Sequence, residues 1–191
     1  MPPLLGTREL RPLRDRAPVV EELRGEPLDL PGSDMLQLLF EVERARLLEL
    51  LPKPVHPTIP PTATVVVWNC PAGPLGPFRL AQVRVGCRAG FRSRGYLLAS
   101  FCDSERAARA LRARWGFDCR PGAIAFERHF DSVGAAVEAG GAEILRASLE
   151  DPTIVPPADF EWTGNLNLAR VRDGDGERLR LVQAEPEYAF E

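Results

Sequence analysis

The chain has 191 residues, 24 Lys and Arg against 27 Asp and Glu, and a net charge of -3 at pH 7; 45% of it is hydrophobic and 27% charged. That length suits one domain burying about two thirds of its unfolded surface, and the slight negative balance argues against nucleic acid or an anionic membrane surface as a partner. No apolar run approaches the ~20 residues of a bilayer span, and Met1 to Arg16 carries no secretory h-region.

The four cysteines, Cys70, Cys87, Cys102 and Cys119, are widely spaced with no CxxC pair. They are expected to be reduced thiols in a cytoplasmic protein without a metal or other cofactor. Lys53 is the only lysine, which removes amine chemistry from nearly every site.

Over residues 1–34, Pro2, Pro3, Pro12, Pro18, Pro27 and Pro31 interrupt any periodicity and predict an irregular arm ahead of a domain spanning 35–191. Met35 to Val42 (MLQLLFEV) reads as a buried strand, and Glu43 to Leu51 (ERARLLELL) as a short helix stopped by Pro52. Thr62 to Asn69, Phe78 to Cys87 and Tyr96 to Cys102 are β-branched, aromatic or alternating, and predict three strands joined by turns. Asp103 or Ser104 is a natural N-cap for a helix over Ser104 to Trp115, with Ala107, Ala108, Leu111 and Trp115 on one face and Gly116 as terminator. Ala123 to His129, Ala142 to Leu149, Leu166 to Val171 and Arg178 to Gln183 follow as strands between Gly-Gly, Pro-Pro and Asp-Gly-Asp-Gly turns. The sum predicts an α+β domain, mainly antiparallel and barrel-like, with two short helices and room for a small ligand.

Three segments carry a resemblance. Leu50-Leu51-Pro52-Lys53-Pro54 closes the first helix. Gly95-Tyr96-Leu97-Leu98 leads through Asp103-Ser104 to Arg114-Trp115-Gly116-Phe117, and Glu161-Trp162-Thr163-Gly164 precedes a late strand. In this order, over roughly 35–191, they resemble the acetoacetate decarboxylase family, whose second motif continues Pro-Lys-Lys. The resemblance implies that fold and an association into homo-oligomers. In the family one of those lysines forms an imine with a β-keto acid, its pKa depressed by a positive neighbour and a desolvated pocket.

Here the Pro-Lys-Lys positions read Asp118-Cys119-Arg120, so Cys119 stands in the nucleophile's place, and a thiol forms no imine. The resemblance also sets Leu80, in Gly76-Pro77-Phe78-Arg79-Leu80, where the family has a glutamate, and puts the family's early active-site arginine near Ser33 or Asp34. The chain is shorter than the family between Arg146 and Trp162, which implies a wider or more open pocket.

Each candidate has two readings. Cys119 is a thiolate favoured by Arg120, or a small structural thiol. Arg120 is an anchor for a carboxylate or enolate, or a surface residue. Glu127 and His129 share one face of a predicted strand and form either an inward acid/base pair or a solvated face. Arg79 is a second candidate donor to a developing enolate. Trp162 lines a pocket or fills the core, and Trp115, Phe117 and Leu80 flank the substrate if the resemblance holds. His56 and Lys53 read as loop residues.

The expected function is a small-molecule pocket for a keto, enol or polyketide-like compound, as a non-covalent cyclase, isomerase or lyase of secondary metabolism. The alternatives are a catalytically silent binding or assembly module, and a lysine-independent β-keto acid decarboxylase.

Overall fold

The computed structural model describes residues 5–21, 23, 27–153, 162–173 and 176–185. In chain order the elements are α1 (Arg11–Arg14), β1 (Val19–Val20), β2 (Asp34–Glu41), α2 (Arg44–Leu50), β3 (His56–Pro57), β4 (Thr62–Cys70), β5 (Phe78–Ala89) and β6 (Arg92–Cys102). They continue with α3 (Glu105–Trp115), β7 (Cys119–Pro121), β8 (Ala123–Arg128), β9 (Ser132–Ala139), β10 (Ala142–Glu150), β11 (Asn165–Asp173) and β12 (Gly176–Ala184). The fold is mostly β-sheet.

Strands β1-β11-β6-β5-β4-β2 lie side by side in a nine-stranded sheet, with β12 beside β11, β3 beside β5 and β7 beside β6; β10-β9-β8 form a second, three-stranded sheet. The expectation of a mainly antiparallel barrel is corrected in two respects. The pairs β1/β11, β11/β6 and β6/β7 are parallel, and the sheet is not closed: its end strands β1 and β2 have no pairing with each other among the described residues. The parallel pairs arise because β7 returns to β6 through the helical crossover α3, and because β1 and β11 join from opposite ends of the chain. The helices number three among the described residues, the extra one being the single turn α1.

The arm, expected to be irregular, is stitched onto the domain. The amides of Gly6, Thr7 and Arg8 donate to the carbonyls of Val55, Leu48 and Leu51, and Val20 of β1 is fully buried with Ala169, Val171 and Val182. Helix α3 forms as its sequence dictates: the Ser104 hydroxyl accepts from the Ala107 amide, and Gly116 closes the helix at φ 69°, a conformation that suits glycine.

Strand parity sets the two faces of the large sheet. On β5, Phe78 and Leu80 pack with Ala107 and Leu111 of α3. The opposite parity sends Ala81 against Ile124 and Val137 of the small sheet, and Val85 and Cys87 against Leu47 and Leu51 of α2 and its exit. The first face also carries the polar groups described next.

Candidate functional site

Gln82 and Arg84 follow Phe78 and Leu80 at the same parity on β5, so the apolar face facing α3 turns polar along one strand. Gln82 is directly opposite Ser100 of β6, and Ser100 is opposite Cys119 of β7. On the other side Val66 of β4 separates Gln82 from Gln37 of β2. One line across five strands therefore reads Gln37, Val66, Gln82, Ser100, Cys119. Ser100 is fully buried and Gln82 is 1% exposed. Ser100 Oγ and Cys119 Sγ lie 3.3 Å apart, and Gln82 Oε1 accepts from Asn165 Nδ2 at 3.1 Å. Gln82 Nε2 is a buried donor with no partner among the described residues.

Arg84 is 1% exposed and has the largest side chain among the fully buried residues. Its Nη1 donates to the Thr163 carbonyl at 2.8 Å and to Asn165 Oδ1 at 2.7 Å, and Nη2 to Gln37 Oε1 at 3.4 Å. Trp162 lies over the guanidinium, 4.5 Å from carbon to ring centroid, and meets Trp68 edge-on with ring centroids 5.2 Å apart. The stem crosses Gly95, where a Cβ would come within 3.0 Å of Arg84 Cδ.

The acceptors of Arg84, the Thr163 carbonyl, Asn165 Oδ1 and Gln37 Oε1, are neutral, and burial alone lowers its pKa to about 10. It is therefore a cation at neutral pH, without a carboxylate partner among the described residues. Burying an ion costs roughly several kcal/mol after relaxation. Hydrogen bonds to a charged donor, about 1.5–3 kcal/mol each, and a desolvated cation–π contact of about 2 kcal/mol offset that cost.

Cys119 is also where this row reaches open space. A cleft of about 850 Å³ between α3 and the β9–β10 turn is lined by Cys119, Cys102, Asp103, Arg109, Arg112 and Glu138, among others. Arg109 is paired with Glu105 at 3.0 Å and Arg112 with Asp118 at 3.3 Å.

The structure separates residues that the sequence reading grouped together. Cys119 and Arg120 are neighbours on β7 and project to opposite faces, and Arg120 is exposed. Burial pushes the Cys119 thiol up to about 12, against a thiolate at neutral pH. Glu127 and His129 stand on the surface. Strand β8 ends at Arg128, and Glu127 and His129 have side chains 73% and 65% exposed, with Nε2 3.9 Å from Oε2.

Arg79 is tied to Asp103 at 3.5 Å and to the Ile124 carbonyl at 3.2 Å. Leu80 and Phe117 are buried in the α3 core, and Trp115 packs at its margin. Lys53 is exposed and paired with Glu9, His56 lies on β3, and Glu161 falls outside the described residues. All four cysteines are free. No helix is long and apolar enough to cross a membrane, and no cluster of His, Cys, Asp and Glu has metal-binding geometry, both among the described residues.

The family model for acetoacetate decarboxylase matches residues 15–185. The chain belongs to the acetoacetate decarboxylase family. Solved structures share the family fold at low identity. The acetoacetate decarboxylase of Legionella pneumophila superimposes with TM-score 0.71 at 14% identity, over 93% of this chain and 74% of that one. An acetoacetate decarboxylase-like enzyme from Sphingomonas wittichii gives 0.64 at 16% identity, over 79% and 69%. The enduracididine biosynthesis enzyme MppR, solved with the condensation product of pyruvate and imidazole 4-carboxaldehyde, gives 0.62 at 16% identity, over 80% and 67%. No curated protein matches the chain.

Sequence reasoning missed Gln82, Arg84, Ser100 and Asn165. The signal was the parity of β5, where Gln82 and Arg84 occupy the register of Phe78 and Leu80.

Proposed function

We propose that this member of the acetoacetate decarboxylase family binds and transforms a small keto or enol compound without an imine, as a cyclase, isomerase or lyase. The observation that carries this reading is Arg84, a buried guanidinium without an anionic partner among the described residues, beside the row that holds Gln82 and Ser100. The only amine side chain in the chain, Lys53, is ion-paired at the surface.

A ligand in the cleft meets the neutral Cys119 thiol, and Ser100 and Gln82 lie buried behind it, so the reading requires the cleft to deepen along the row. Gln82 Nε2, which has no partner, is suited to donate to a keto oxygen. As that oxygen becomes an enolate, the Arg84 charge stabilises it from a desolvated position, where a fixed charge acts more strongly than in water. This is also how decarboxylation of a β-keto acid would proceed without lysine, with Arg84 in the role first given to Arg79 and Arg120. Arg120, on the opposite face of β7, and Glu127 and His129, exposed at the end of β8, stand outside this path, and the variants below read whether they take part.

The test is α-proton exchange into D2O, followed by NMR over a panel of β-keto acids, lactones and enols, with borohydride added in parallel. Exchange with no reduced adduct on the protein is the expected result; an adduct at Lys53 would overturn the reading. Single substitutions of Cys119, Arg120, Glu127 and His129 then assign roles, and any variant with full turnover removes its residue from the mechanism.

A second reading, an oligomeric assembly module, is favoured by Leu39 and Phe40 on the edge strand β2, 64% and 47% exposed. It predicts no turnover on any substrate and an oligomeric state unchanged in all four variants.

A further inference from the structure

A second pocket, of about 150 Å³, is lined by Arg8 and Arg16 of the arm, Arg120 of β7, Tyr96 of β6, Asp118 and Asn167. All three arginine side chains are exposed, and none has a carboxylate partner among the described residues. Asp118 is the one acidic residue of the lining, and Arg112 pairs with it. The three cations are brought together by backbone hydrogen bonds that hold the arm. Arg8 N donates to the Leu51 carbonyl at 3.0 Å and Lys53 N to the Arg8 carbonyl at 3.2 Å. On the other side of α1, Arg170 N donates to the Pro18 carbonyl at 2.8 Å and Arg170 Nε to the Ala17 carbonyl at 3.1 Å.

Like charges held around a small concavity repel one another, and an oxyanion between them turns that repulsion into charge-assisted, bidentate contacts. The wall includes a further unsatisfied group, Asn167 Oδ1, in a side chain that is 1% exposed. As an acceptor it suits a protonated oxygen, such as the hydroxyl of a hydrogen phosphate. Arg120 points away from Cys119, so this pocket is not the cleft on the α3 side.

We propose that the pocket between the N-terminal arm and β7 binds a phosphate group, free or carried by a small phosphorylated ligand, on Arg8, Arg16 and Arg120. Its size excludes a bulky anion, and three cations match the charge of a phosphoryl group better than that of a single carboxylate. The pocket shares Ser100 with the donor row and takes Arg120 from the candidates named above, and its binding is read without turnover, so its failure is distinct from a failure of that reading.

The experiment is calorimetric titration of the purified chain with inorganic pyrophosphate, and separately with inorganic phosphate, at fixed ionic strength. One saturable site is expected, at least tenfold weaker in Arg16→Gln and in Arg120→Gln and unchanged in Arg146→Gln, whose side chain pairs with Glu143 elsewhere on the surface. The proposal is overturned by the absence of saturable binding, by unchanged affinity in the first two variants, or by an equal loss in Arg146→Gln. Protection of Arg8, Arg16 and Arg120 in the wild-type chain from phenylglyoxal by pyrophosphate gives a reading that needs no variant; absence of protection contradicts the proposal.

Discussion

Arg84 holds two roles that one substitution separates. Arg84→Met keeps the stem that packs across Gly95 but leaves the Thr163 carbonyl and Asn165 Oδ1 without their donor, a loss of roughly 1–3 kcal/mol per unsatisfied buried group. Relief of the buried charge offsets part of it. We expect a folded variant by circular dichroism, with a midpoint lower by several degrees and turnover reduced about 10²–10³-fold, the usual effect of removing one stabilising donor. A second residue-scale prediction concerns Cys119. Its thiol is pushed up to about 12, so iodoacetamide at pH 7.5 should modify it far more slowly than an ordinary exposed thiol, as followed by mass spectrometry; fast modification would contradict the half-buried, protonated thiol. At this scale the sequence was least legible. Glu127, His129 and Arg120 drew notice because ionisable residues on strands carry chemistry, whereas Arg84 and Gln82 looked like the solvated half of an alternating strand. Burial is decided by what covers a face, here Trp162 over Arg84, and that covering residue lies 78 positions beyond Arg84 in the chain.

Helix α3 packs on the apolar end of the β5 face that carries the site, and its stability rests on features visible in the sequence. Ser104→Ala removes the acceptor for the Ala107 amide and should lower stability by about 1 kcal/mol. Leu111→Ala opens a void beneath the helix and should cost about 2–5 kcal/mol; at about 2–4 °C per kcal/mol for a chain of this size, thermal melts resolve the two. Equal effects would mean that α3 does not pack as described. The cap, the apolar face and Gly116 made this helix readable, as parity and β-branching did for β2, β4, β5 and β6. Strand β9 was missed because Gly134, Ala135 and Ala136 carry no β-propensity, although Val133, Ala135 and Val137 do alternate. The two-residue β1 was hidden for a different reason: its partner β11 lies about 150 positions away, and no local pattern announces so distant a pairing.

For the whole molecule, several buried groups titrate in the same alkaline range. The thiols of Cys87 and Cys119 are raised from 9.0 to about 12, and the Tyr96 phenol from 10.0 to about 12, chiefly by burial. Each is held in its neutral form by folding, so the stability it contributes is present below its unfolded value and is lost as pH rises through about 12. Arg84, lowered from 12.5 to about 10, acts in the opposite sense above pH 10. With three groups against one, the melting temperature should fall between pH 9 and 12; a flat profile would contradict the burial assigned to these groups. The mostly β fold was readable from the sequence as a set of strands, but its mixed pairings and open edge depend on contacts that no single segment encodes. The central claim is that the chemistry runs on the buried donors around Arg84 and not on an amine. Its most direct test compares α-proton exchange of the best keto substrate by the wild-type chain, Lys53→Arg and Arg84→Met. The account predicts wild-type exchange in Lys53→Arg and a loss of about 10²-fold or more in Arg84→Met; loss of exchange in Lys53→Arg with full activity in Arg84→Met would contradict it.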